Sequence, residues 1–180
     1  MRELSLHILD IVQNSIAAAA EVIEIIIDED IEEDLLLIKI IDNGSGIAED
    51  KLAQIIDPFI TSRTTREVGL GLPLFKEAAK RCEGDLEIKS VLGQGTEVKV
   101  YFKHSHIDRA PLGDIKGTLI SLLSVNPDID FIYQHIYQEK AFDFNTVEVK
   151  KELDGIDINK PRILKWIDGY IKEGLEGLRS

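Results

Sequence analysis

Asp10 and Asn14 are the first residues of this 180-residue chain whose types and spacing suit chemistry. Four positions apart on a helix, they share one face about a turn from each other. An amide carbonyl can ligate Mg²⁺, and a neighbouring carboxylate can take a proton from an attacking hydroxyl or water. Taken alone, such a pair is more often an ordinary surface hydrogen bond. A second group, Asp42-Asn-Gly-Ser-Gly46, follows directly on a hydrophobic run. A carboxylate at a strand end can accept from an exocyclic amine, and Gly44 and Gly46 let the backbone approach a flat base closely. Asp-Asn-Gly is also common turn chemistry. A third group, Gly69-Leu70-Gly71-Leu72, opens a helix, where free amides bind anions. Arg63 and Arg66, with Thr61, Ser62, Thr64 and Thr65, bring positive charge and hydroxyls to the loop before it. His7 reads as a partly exposed helix histidine. His104, His106 and His135 have no metal-ligand spacing.

The elements that must hold these groups follow from hydrophobic periodicity. Residues 3–20 place Leu4, Ile8, Ile11, Val12 and Ser15 on one helical face. Val22–Asp28 and Leu35–Asp42 read as strands joined by a solvated acidic turn, Glu29–Asp34. A short helix is expected at Ala48–Ile56, a loop at Asp57–Val68, and a helix at Leu70–Cys82 with Pro73 in its first turn. Leu86–Val91 and Thr96–His104 alternate as a hairpin around Leu92-Gly-Gln-Gly95. The order predicts an α+β fold: a two-layer sandwich with helices on one face of a mixed, mostly antiparallel sheet. Beyond Ile107 the pattern restarts with a helix near Asp114–Val125, a hairpin at Ile129–Val149 and an amphipathic helix from Pro161 to about Leu178. The expected division is 1–106 for the first unit and 107–180 for an α/β extension of unknown role. The aromatic run Phe131–Tyr137 suits either a sheet extension or a docking edge. The helix carrying Trp166 and Tyr170 suits internal packing or a homodimer contact.

Composition narrows the function classes. Hydrophobic residues at 44% and charged residues at 30% describe a globular chain rather than a disordered one. A net charge of −12 argues against a nucleic-acid surface. No apolar run approaches the roughly 18 to 20 residues that span a bilayer, so no membrane partner is expected. The single cysteine, Cys82, reads as a small helix filler and makes a reducing cytoplasm the expected location. An anionic ligand on so acidic a chain needs a divalent cation and backbone N–H donors to supply the attraction.

Taken in order, Asp10-Ile-Val-Gln-Asn14, Asp42-Asn-Gly-Ser-Gly46, Asp57-Pro-Phe-Ile-Thr-Ser-Arg63, Gly69-Leu-Gly-Leu72 and Gly93-Gln-Gly-Thr96 resemble the ATP-binding domain of sensor histidine kinases. That domain belongs to a superfamily shared with DNA gyrase, the ninety-kilodalton heat-shock chaperone and the mismatch-repair ATPase. The resemblance covers about residues 3–104 and implies the Bergerat-type ATP-binding fold, with ATP or ADP and Mg²⁺ as ligands. It implies that Asn14 ligates Mg²⁺ and that Asp42 accepts from the adenine amino group, in a pocket shaped by Gly44, Gly46 and Ile47. Phe59 matches an aromatic that opens a mobile lid, and Arg63 a cation that reaches the terminal phosphate. Gly69, Leu70, Gly71 and Leu72 match the lid's far hinge, where amides meet the phosphates. Thr96 matches a buried hydroxyl supporting the pocket through Asp42.

The sequence also departs from that family. Only two residues precede the first helix, so the expectation is that an acceptor histidine comes from a partner or that the acceptor is something else. Position 17 is Ala, where kinases of the family often carry a basic residue. Position 10 is Asp, where hydrolysing relatives and anti-sigma serine kinases carry Glu and many histidine kinases carry Asn. The expected activity is that of a free-standing protein kinase transferring the γ-phosphate of ATP to a partner protein, with Asp10 as the catalytic base. The alternative is an ATP-gated interaction module, anti-sigma-like or an ATPase switch, with slow or no phosphotransfer.

Overall fold

The computed structural model describes residues 2–55 and 71–180. Phe59, Arg63, Gly69 and Leu70, with the rest of the expected loop, lie outside the described residues. The elements in order are α1 (Leu4–Ala17), β1 (Val22–Asp30), β2 (Leu35–Asp42), α2 (Glu49–Ile55), α3 (Gly71–Lys80), β3 (Asp85–Val91), β4 (Gly95–Lys103), α4 (Ile115–Val125), β5 (Asp130–Tyr137), β6 (Lys140–Asn145), α5 (Thr146–Leu153) and α6 (Pro161–Leu178). The strands form one six-stranded sheet in the order β3-β4-β2-β1-β5-β6. Every pairing is antiparallel except β1 with β5, which is parallel.

Side-chain alternation decides which face is covered. Ile25 pairs with Ile40 on one side and Tyr133 on the other, and all three are buried. The same inner face carries Ile23, Ile27, Leu36, Ile38, Val98, Val100, Phe102, Phe131, Phe142 and Phe144. Helices α1, α3, α4 and α6 lay their apolar stripes into this one core. No helix among the described residues is long and apolar enough to cross a membrane.

Several boundaries differ from expectation, each for a local reason. Helix α1 stops at Ala17 because Ala19 turns to a left-handed φ of 59° and Ala20 N–H bonds back to Ser15 O. The strand run expected through Val149 ends at Asn145, whose side chain accepts from Val147 N–H at 2.9 Å and caps α5. His7 is 6% exposed rather than partly open, stacked parallel on Phe75 with centroids 4.8 Å apart.

Glu29, expected in a solvated turn, is instead a buried part of β1. It accepts from His135 Nε2 at 2.7 Å, His104 Nε2 at 3.0 Å and Arg179 at 2.8 Å. With the His135 proton on Nε2, Nδ1 accepts from the Tyr133 hydroxyl at 2.9 Å. Burial alone would raise the Glu29 pKa; the hydrogen bonds from His135, His104 and Arg179 outweigh it and hold the carboxyl at about 2. Burial and the Glu29 charge push the Tyr133 phenol upward. The Arg179 guanidinium lies 4.5 Å over the Tyr137 ring, so this cluster ties the end of the chain to β1.

Candidate functional site

The turn after β2 is held from three directions. Asp42 Oδ1 accepts from Gly44 N–H at 2.9 Å, and Oδ2 from Ser15 Oγ at 2.5 Å. Asn43 Oδ1 accepts from the N–H groups of Glu21 and Val22 at 2.8 and 2.9 Å, pinning the turn to the start of β1. Ser45 N–H donates to Ala18 O, and Gly93 N–H donates to Ser45 O. Gly46 has a φ of 72°, and a Cβ there would stand 2.2 Å from Val91 O. Gly95, at φ 132°, lies so close that a Cβ would meet Asp42 O at 2.0 Å. Only glycine satisfies both the dihedral and the contact at these two positions.

Ile47 is half-buried against the core and donates its N–H to Ser90 Oγ at 2.8 Å. Thr96 stands opposite Asp42 in the β2–β4 ladder, yet its hydroxyl meets Ser90 Oγ at 2.8 Å. The hydroxyl that reaches Asp42 is that of Ser15. Sequence reasoning placed Ser15 on the core face of α1 and gave it no role. A serine on an apolar stripe must find a partner, which is the signal that could have found it. Asn43 and Ser90 are the other positioning residues that motif reading passed over.

Along α1, Asn14 lies one residue before Ser15, and its amide nitrogen is buried with no hydrogen-bond partner among the described residues. Such an atom is costly unless a bound group satisfies it. Asp10 Oδ2 accepts from Arg2 at 2.6 Å, and both side chains are a little over a third exposed. The start of α3 rests against this turn, since a Cβ on Gly71 would sit 3.0 Å from Asp10 Cβ. Leu72 is 2% exposed and roots α3 in the core. Burial, with the Arg2 charge adding, keeps the His7 imidazole below its ordinary value despite the opposing Asp10 charge, so His7 is neutral near pH 7.

The fold thus sets Asp42, Gly44, Gly46, Ile47 and Thr96 at or beside the turn after β2, and Leu72 in the core. Ser15 and Ala18 join that turn, and Asp10 joins Gly71, to the strip of α1 that carries Asn14. The fixed carboxylate of Asp42 and the first turn of α3 lie a little over one helical turn apart along it, with Asn14 between them. An ionised carboxylate has about four acceptor positions, so Asp42 can take an exocyclic amine besides its two present donors. The start of α3 presents the positive end of a helix dipole. No group of three or more His, Cys, Asp or Glu among the described residues could hold a metal ion. The buried Asn14 nitrogen is a donor and suits an acceptor on a bound group, such as a phosphate oxygen; only the carbonyl oxygen of that amide could meet a cation such as Mg²⁺.

Residues 2–106, from α1 to just past β4, match the family model described as histidine kinase-, DNA gyrase B-, and HSP90-like ATPase. The chain is 41% identical over 70 residues to the autoinducer 2 sensor kinase/phosphatase LuxQ of Vibrio harveyi, covering 36% of this chain and 8% of that protein. It is 39% identical over 64 residues to sporulation kinase D of Bacillus subtilis (strain 168), covering 36% of this chain and 12% of that protein. Across such curated relatives the match spans between 8% and 16% of their length. Among solved structures, the N terminal domain of a DNA repair protein superposes with a TM-score of 0.51 at 18% identity, covering 81% of this chain and 52% of that one. At that identity the likeness speaks for the fold alone.

Proposed function

Because the chain belongs to the histidine kinase-, DNA gyrase B- and HSP90-like ATPase family, we propose that it binds Mg-ATP and transfers the γ-phosphate to a partner protein. One observation carries the binding half: a carboxylate fixed by Ser15 and Gly44 stands one helical step from Asn14, whose buried amide nitrogen has no partner among the described residues. In this reading Asp42 accepts from the adenine amino group, and Gly44, Gly46, Ile47 and Thr96 shape the base pocket. Asn14 ligates Mg²⁺, while Gly71 and Leu72 set the helix start beneath the phosphates. Phe59, Arg63, Gly69 and Leu70 belong to a lid by resemblance. Asp10 takes the proton of the attacking group. Residues 1–106 form the nucleotide unit, with 107–180 as its extension, working in a reducing cytoplasm. Calorimetry with Mg-ATP tests the binding: Asp42→Ala and Asn14→Ala should each weaken affinity by on the order of tenfold, about 1.4 kcal/mol. Unchanged affinity in Asp42→Ala would overturn the adenine assignment. Transfer from Mg-[γ-³²P]ATP to co-purified partners, lost in Asp10→Asn, tests the reaction.

The Arg2–Asp10 pair favours a second reading. A carboxylate oxygen occupied by a guanidinium is not open to an attacking group, so the nucleotide would act as a switch for partner binding rather than as a phosphate donor. Partner binding that requires ATP and survives Asp10→Ala would favour this reading. A rise in ATP turnover in Arg2→Ala would return the weight to catalysis, with Arg2 restraining the base.

A further inference from the structure

A concave site lies in the extension, lined by none of the residues grouped along α1. It is a groove of about 570 Å³ between α5, β6 and α6. The buried stripe of α6 runs through Ile167, Ile171 and Leu178. Beside it stand Trp166 and Tyr170, one turn apart, stacked at 5.6 Å with their planes 12° apart. Tyr170 is backed by Phe142 and Phe144, with centroids at 5.5 and 6.2 Å. Yet Trp166 is 60% exposed and Tyr170 43%. Across the groove, α5 presents Glu148 and Glu152, which share a face at a spacing of four. Neither is in an ion pair among the described residues, whereas neighbouring Lys150 is turned away onto Asp130 at 2.8 Å. The lining holds three carboxylates, counting Asp143, to one ammonium, Lys151.

The chemistry of such walls is specific. Aromatic faces attract cations through their quadrupole, and carboxylates a turn apart offer charge-assisted acceptors to the same group. The floor, with Phe144 and Ile163, is apolar. An occupant therefore needs ammonium or guanidinium ends on aliphatic stems together with apolar side chains. A free polyamine brings only the first, and a second copy of a chain carrying −12 brings unfavourable charge.

We propose that this groove is a docking site for a basic amphipathic segment of a partner protein. Its Lys or Arg stems lie on the Trp166–Tyr170 shelf, and their charged ends meet Glu148 and Glu152. Its apolar residues fill the floor. The site requires no nucleotide, so it stands or falls apart from the ATP reading.

Trp166 is the sole tryptophan of the chain, so its emission reports the groove directly. The full chain would be titrated with the amphipathic peptide acetyl-LRKLLRKLLR-amide at physiological salt. A saturable change in emission is expected, with affinity at least about tenfold weaker in the doubly substituted Glu148→Gln, Glu152→Gln variant. With labelled peptide and anisotropy as readout, Trp166→Ser should also weaken binding. Equal affinity in the double variant, equal binding of a serine-for-leucine peptide, or spermidine matching the peptide would each overturn the proposal. So would sedimentation showing a dimer that Trp166→Ser dissociates, because the occupant would then be a second copy.

Discussion

At the scale of single residues, local spacing carried most of the information. Asp10, Asn14 and Asp42 could be placed from sequence because each belongs to a short pattern whose geometry is fixed by one helix turn or one strand end. Glu29 could not be. It sits in an acidic run that looks solvated, and its donors, His104, His135 and Arg179, come from 75, 106 and 150 positions along the chain. Its carboxyl is held at about 2, below the 4.5 of an unstrained glutamate, so its contribution to stability is present above pH 4.5. That contribution fades as the pH falls from 4.5 towards 2, where both folded and unfolded forms become protonated. Replacing Glu29 by Gln should therefore cost on the order of 3 kcal/mol at pH 7, with the gap to the parent closing in acid. Urea unfolding at pH 7 and pH 3 checks this; a gap that stays constant would remove the ionised carboxylate from the explanation.

At the scale of elements, periodicity read the strands well and the short helix α5 badly. Thr146, Val147 and Val149 are β-branched and continue an alternating run, so residues 146–149 looked like strand. The deciding feature was the Asn145 cap, which satisfies a backbone donor that a strand would have paired across the sheet. Turn geometry was more legible, since Gly44, Gly46 and Gly95 stood in the motifs themselves. Gly46→Ala must accept a left-handed dihedral and displace Val91 O, a combination that costs about 1–3 kcal/mol. The variant should unfold at lower denaturant and bind Mg-ATP more weakly, because the Asp42 turn is pushed off the β3–β4 connection. Chemical denaturation with calorimetry on the same sample measures both effects. Loss of stability with full nucleotide affinity would detach the turn from the site.

At the scale of the whole molecule, whether the extension packed separately was unreadable, because the deciding contact is the pairing of β1 with β5 across about a hundred residues. Strand β1 lies between β2 and β5, and residues from both ends of the chain enter one core cluster. Thermal unfolding followed by Trp166 emission, which reports the extension, should coincide with far-UV circular dichroism of the full chain. Two separated transitions would show instead that the halves melt independently. The same arrangement bears on how the protein is made. A nascent chain completes the isoleucine-rich Val22–Asp30 strand early, and β2 can cover one edge of it at once. The other edge must wait until Tyr137 has left the ribosome, several seconds later at about 5–20 residues per second. Through that interval an apolar ribbon with unpaired amides is open to other nascent chains. Yield in cells should therefore depend on holdase supply and growth temperature more than the stability of the finished fold would suggest.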